Sequence, residues 1–398
     1  MKNSFITLSA NKNNPKWNNL ISRKSPIYER PTDIRNNFER DYTRIIYSNG
    51  YKRLKHKTQV FFSPVNDHIC TRIEHVTHVE SISYTIAKFL GLNTELTRAI
   101  AIAHDIGHSP FGHAGEKILS NLSKADLSTS FWHEKNGLER VDYIELLEDP
   151  DGYKQNLNLT YAVRDGIISH CGEIDENCLK PRNEFINLLN YEYPNQYSPY
   201  SWEGCVVKIA DKISYLVRDI EDSIKLGLLD NFENFNNLLH INYDNICLNN
   251  TTLINYLIYD LCYNSSPELG LCFSDKSFEI ICKIKKFNYE NIYRNNKLEP
   301  STRYFNLILS EIYNTLKSCF NNNALTSIEK LKKYYPKLYL DFSKFMHDYY
   351  FIPNRQNLKN QPLFNPSSKS DFLKAILYYI SGMTDNYAIE IYNEIIGF

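Results

Sequence analysis

The stretch His104-Asp105-Ile106-Gly107-His108-Ser109-Pro110-Phe111-Gly112-His113-Ala114-Gly115-Glu116 places three histidines, an aspartate and a glutamate within thirteen residues. The adjacent His104-Asp105 pair offers an imidazole nitrogen and a carboxylate oxygen at one point of the backbone. That is a mixed donor set suited to a catalytic divalent transition ion. Leu96–His104 before it is apolar and patterned as a central helix. Gly107, Pro110 and Gly112 then break the pattern, and a new helix begins near His113 and runs to about Leu122.

Outward from this block, Arg72-Ile73-Glu74-His75-Val76-Thr77-His78 lies upstream, in a segment where Ile73, Val76, Val79, Ile82, Ile86 and Phe89 recur every three or four residues. That spacing predicts an amphipathic helix over 72–90. Downstream, residues 202–227 carry one apolar stripe of Val206, Ile209, Ile213, Leu216, Ile220 and Ile224. A second stripe, Asp211, Tyr215, Asp219 and Asp222, lies on another face of the same helix. Three helices thus supply a His…His-Asp…Asp series: His75, His104, Asp105 and Asp211. Six of the 11 histidines fall between positions 75 and 133, where an even spread would put fewer than two. A shared site explains the clustering. His78, one turn after His75, is left between a supporting place beside that site and plain packing.

The chain has 398 residues, 42% of them hydrophobic, enough for a sizeable core. Its net charge of −1 gives no global case for a polyanion partner. The nine cysteines show no CxxC spacing and are read as reduced, in a cytoplasmic protein. No run approaches a membrane span, and the Asn- and Lys-rich start lacks the apolar stretch of a signal peptide. Helical pattern returns in Arg35–Lys57, Ser301–His347 and Asp371–Ile396, with no sustained strand alternation. The expected class is mainly α. The expected organisation is a flexible arm over 1–24, a core over 25–228 and a mainly helical region over 229–398 that packs on the same core. Within the last, 229–300 is Asn- and Tyr-rich and carries no readable motif.

The His75, His104-Asp105, Asp211 series resembles the HD-domain phosphohydrolases, and within them the deoxyguanosinetriphosphate triphosphohydrolase-like (dGTPase-like) family. The resemblance runs from about Ile27 to about Tyr387. It implies an HD-type helical fold and metal-dependent hydrolysis of deoxynucleoside triphosphates (dNTPs) at the α-phosphorus. The products would be a deoxynucleoside and tripolyphosphate, and the cellular role control of the dNTP pool. The four ligands would hold Mn²⁺ first, with Mg²⁺, Fe²⁺, Co²⁺, Ni²⁺ and Zn²⁺ as alternatives.

The resemblance also distributes roles residue by residue. His113 and Glu116 match the family's acid/base positions, and His108 and His133 line its phosphate site. Arg72 and Lys212 match phosphate-binding residues. Gln59 and Asp219 match contacts to the 3′-hydroxyl, and Tyr215 matches the ring that packs on the deoxyribose. Ile380-Ser381-Gly382-Met383-Thr384-Asp385-Asn386-Tyr387-Ala388 matches a further block, expected to close over the site, with Gly382 permitting a turn and Asp385 capping the last helix. Relatives are homo-oligomers, and some respond to a nucleotide or single-stranded nucleic acid as effector. Competing readings are an HD-type phosphomonoesterase or phosphodiesterase and a non-catalytic dNTP-binding regulator. Base preference, the metal, the oligomeric state and any effector site are not legible.

Overall fold

The computed structural model describes residues 4–27, 32–62, 68–170, 176–229, 250–353 and 355–397. The protein is mainly α, as the periodicity predicts, with two small two-stranded antiparallel sheets that the sequence reading does not anticipate. These are β1 (Leu146–Glu148) with β2 (Lys154–Asn156), and β3 (Cys178–Leu179) with β4 (Leu271–Cys272). Such short strands contain too few residues to show a period of two.

The region around the His-Asp block is built from α1 (Asn37–Tyr47), α2 (Arg72–Leu90), α3 (Thr94–Ala103), α4 (Gly112–Leu127), α5 (His133–Glu139), α6 (Tyr161–Ser169) and α7 (Trp202–Lys225). Helix α2 begins where the Glu74 carboxylate accepts the Thr71 N–H, and it ends at Gly91 in the left-handed conformation. Asn93 caps α3 through the Leu96 N–H. The apolar stripe of α7 is buried, from Val206 through Ile220. It shares one core with α2, α3 and α6, and also with α8 (Asn250–Asn264) and α9 (Asp275–Asn288). Thus the described part of the unreadable 229–300 segment is largely helix and packs against the α7 side. Its residues 230–249 lie outside the described residues.

A second core joins Phe111, Ile118, Leu119 and Ile144 to α10 (Glu299–Lys317), α11 (Pro336–Tyr349), α12 (Lys369–Ser381) and α13 (Asp385–Ile396). Helix α4 is therefore the element shared between the C-terminal helices and the His-Asp block.

Two expectations are corrected. Residues 4–24 are packed, not a loose arm: Phe5 meets Trp202 with ring centroids 4.8 Å apart, and the Ala10 N–H donates to buried Glu203 at 2.8 Å. The polar composition hid three buried apolar anchors, Phe5, Ala10 and Leu20. The cysteines are not all reduced: Cys178 and Cys272 face each other across β3 and β4 and are bonded. Neither strand was visible in the sequence, so neither was the pairing. No helix among the described residues is long and apolar enough to cross a membrane.

Candidate metal centre and nucleotide site

Helices α2, α3 and α7 bring His75, His104, Asp105 and Asp211 together. His75 Nε2 lies 2.9 Å from Asp211 Oδ1 and 3.8 Å from Asp105 Oδ2. His104 Nε2 lies 3.5 Å from Asp105 Oδ1 and 3.8 Å from Asp211 Oδ1. Donors bound about 2.1 Å from one ion stand roughly 3–4.2 Å apart, so this spacing fits a single divalent cation. The His104 ring is fixed from behind, its Nδ1–H donating to the Ala101 carbonyl at 2.6 Å. Its Nε2 is buried without a partner. A buried lone pair facing carboxylates is the environment a cation satisfies and a neutral core does not.

Asp105 is held on both sides. Arg72 Nη1 donates to Oδ2 at 2.8 Å, and His108 Nε2 lies 3.0 Å from Oδ1. Burial opposes the Asp105 charge, but His104, His108 and Arg72 outweigh it and hold the carboxyl well below the usual range. Arg72 is 1% exposed, and its Nη2 donates to the Gln59 carbonyl. The residue expected at a phosphate is thus engaged with the Asp105 carboxylate, a pairing that linear spacing does not reveal.

A second cluster adjoins the first. His133 stacks on His108 with centroids 3.8 Å apart, and its Nδ1 lies 2.9 Å from Glu116 Oε2. His113 Nδ1 is 3.5 Å from the same oxygen, and its side chain is 70% exposed. Burial raises the Glu116 pKa, but His133 and His113 more than reverse this and hold the carboxylate charged. The sequence paired Glu116 with His113; the structure gives it two histidines, with His133 the nearer. His108 keeps a buried Nδ1 without a partner beside this cluster.

Along α7, Lys212 is buried, Tyr215 half-buried and Asp219 buried. Gln59 carries a buried Oε1 without a partner. Asp219 accepts from the hydroxyl of Tyr293, in the π-type turn Tyr289–Tyr293 that follows α9. Tyr293 was missed because it sits in the segment without a motif, and no local signal marks a contact made 74 residues away.

Burial pushes the Asp219 carboxyl from 3.8 up to about 7. The folded chain therefore binds this proton more tightly than the unfolded chain does. The stability it contributes is full below about pH 4 and is lost as pH rises through about 7. Three units correspond to roughly 4 kcal/mol. Asp219→Asn keeps an acceptor for Tyr293 and removes the titration. We expect its melting temperature to gain on the parent's as pH rises from 5 to 8. A constant difference across that range would contradict the account.

The Ile380–Ala388 block braces the site rather than covering it. Lys57 Nζ donates to the Ser381 carbonyl at 2.9 Å and also to the His108 carbonyl. Asp385 accepts the Thr58 N–H at 2.8 Å and the Phe111 N–H at 2.9 Å. The expected cap is instead Thr384, whose side chain accepts from the Tyr387 N–H. Gly382 is not in the left-handed region; a Cβ there would meet Arg140 Nη2 at 2.7 Å, so a larger residue would make that guanidinium shift.

The HD domain family model matches residues 72–216, the segment that carries the four converging ligands. The chain is 35% identical to a deoxyguanosinetriphosphate triphosphohydrolase-like protein of Desulfatibacillum aliphaticivorans, over 73% of this chain and 76% of the relative. It is 33% identical to a protein of the same description from Rickettsia bellii, over 94% of this chain and 96% of the relative. A third, from Caldanaerobacter subterraneus, is 32% identical over 94% and 89%.

Proposed function

From the premise that this chain belongs to the deoxyguanosinetriphosphate triphosphohydrolase-like family of HD-domain phosphohydrolases, we propose that it hydrolyses deoxynucleoside triphosphates to deoxynucleoside and tripolyphosphate. The observation that carries the reading is the convergence of His75, His104, Asp105 and Asp211 with an unpartnered His104 Nε2. These four residues would hold the divalent ion, Mn²⁺ in our reading. Bound there, it supplies charge for an α-phosphate oxygen and lowers the pKa of the attacking water.

The chain's own residues do the rest. Lys212 offers its charge to the triphosphate, and His108, donating through Nε2 to Asp105, lines the same wall. Arg72 keeps Asp105 aimed at the ion and adds positive potential behind the phosphates. Water oxygen joins the α-phosphorus as the bond to the 5′-oxygen breaks, and the leaving oxygen takes a proton. His113, with Glu116 behind it, is positioned at the exposed rim to give that proton, while His133 holds Glu116 in place. Asp219 accepts from the 3′-hydroxyl, Tyr293 yielding its place there, and the Gln59 side-chain amide contacts the same hydroxyl. The Tyr215 ring packs on C2′, where a 2′-hydroxyl would not fit. We place this activity in a cytoplasmic homo-oligomer that controls the dNTP pool, with a nucleotide or single-stranded nucleic acid as effector.

The test is a product assay with Mn²⁺ and each dNTP and rNTP in turn, then the dNTPs as a mixture, separated by anion exchange. Tripolyphosphate and deoxynucleoside from dNTPs alone are expected. Orthophosphate or pyrophosphate would overturn the reaction assignment. His113→Ala is expected to lower kcat by about 10²-fold or more with KM nearly unchanged. A rise in KM with kcat intact would instead make His113 a binding residue.

A further inference from the structure

We infer that His170 is a fifth protein donor to the metal centre, a role that rests on the metal-binding reading of His75, His104, Asp105 and Asp211. His170 follows the last residue of α6 and is 2% exposed. Its Nδ1 lies 2.7 Å from the carbonyl of Ile167, three residues back. His104 is built the same way: it follows the last residue of α3, and its Nδ1 lies 2.6 Å from the carbonyl of Ala101, three residues back. A carbonyl only accepts, so each Nδ1 carries the proton and each Nε2 presents a lone pair. Outer hydrogen bonds of this kind set the tautomer and aim of a histidine that ligates metal.

The rings of His104 and His170 meet edge to face with centroids 4.9 Å apart. One donor atom each from His104, Asp105 and His170 lies within 4.8 Å of the other two. Two imidazole lone pairs and a carboxylate therefore converge in a buried space, and none of the three carries a proton to share. A cation is the one group that could bind a donor atom of all three at once. His170 also stands 5.5 Å, centroid to centroid, from His133, on the side of the centre that faces the Glu116 cluster. A donor there would draw the ion toward the histidines that flank the phosphate site. No sequence signal marked His170, an isolated histidine 66 positions after His104.

The test uses the full chain, stripped of metal and titrated with Co²⁺, with X-ray absorption at the cobalt edge to count bound imidazoles. Three imidazoles are expected from His75, His104 and His170. His170→Gln should lose one of them, bind Co²⁺ roughly tenfold or more weakly and show an altered visible Co²⁺ spectrum. Two imidazoles in the unsubstituted protein would overturn the inference, whether or not the variant folds. So would a folded variant with unchanged affinity and spectrum. Both results would leave the four-ligand centre standing. Failure of the unsubstituted chain to bind one Co²⁺ would overturn both.

Discussion

Asp105→Asn is expected to purify almost free of metal from Mn²⁺-supplemented cells and to have no measurable hydrolytic turnover. Asparagine keeps the shape and one acceptor for Arg72 but loses the charge that a cation requires. Loss of a mere outer partner of a ligand typically weakens metal binding by about 10–100-fold, so loss of a direct ligand should exceed that range. Metal content by mass spectrometry and product assay check it, and full metal occupancy would remove Asp105 from the centre. Asp105→Ala goes further. It leaves the Arg72 guanidinium, 1% exposed, without its carboxylate. Breaking one side of a buried ion pair costs roughly 3–5 kcal/mol. The alanine variant should therefore melt well below the asparagine variant, although both lack metal.

Gly107→Ala is expected to be among the most damaging single-methyl changes in the site. A Cβ at 107 would lie 1.9 Å from the His133 carbonyl oxygen and 2.3 Å from the Gly137 nitrogen. Both are backbone atoms of α5, so no side chain can swing away. The helix must move, or the His104–Gly107 turn must. Asn136 Nδ2 donates to the Gly107 carbonyl at 2.6 Å and resists that separation. Overpacking of a tight core costs about 1–3 kcal/mol, and a clash between two backbones belongs at or above the upper end. Movement of α5 also carries His133 away from Glu116 and His108, so activity should fall in the molecules that still fold. Thermal melting and the product assay check both parts. A variant with native stability and activity would mean that α5 does not pack on the turn.

The convergence of His75, His104, Asp105 and Asp211 was legible because these residues sit in a dense motif and on strongly periodic helices. Helix α2 was expected over 72–90, where it lies, and α7 ends within two residues of its expected limit. Helix α4 starts near the expected His113 but runs on to Leu127, carried by the strong helix formers Lys124, Ala125 and Leu127. The Ser301–His347 pattern is interrupted after Lys317 and again at Pro336. What stayed hidden was set by long-range contact. Tyr293 reaches Asp219, Lys57 reaches Ser381, and Arg72 turns to Asp105. Each of these side chains read alone is an ordinary tyrosine, lysine or arginine, and only tertiary placement gives it a partner.

The tie from Lys57 to Ser381 spans 324 residues. At about 5–20 residues per second of synthesis, that gap is roughly 16–65 s of translation. Asp211 is the last of the four candidate ion ligands to be made, and Ser381 follows it by 170 residues, roughly 9–34 s later at that rate. In that window a nascent molecule carries all four while the wall holding Thr58, His108 and Phe111 still lacks its anchor. A message cut short before Asp385 would yield a chain that carries His75, His104, Asp105 and Asp211 but lacks the contacts of Asp385 with Thr58 and Phe111.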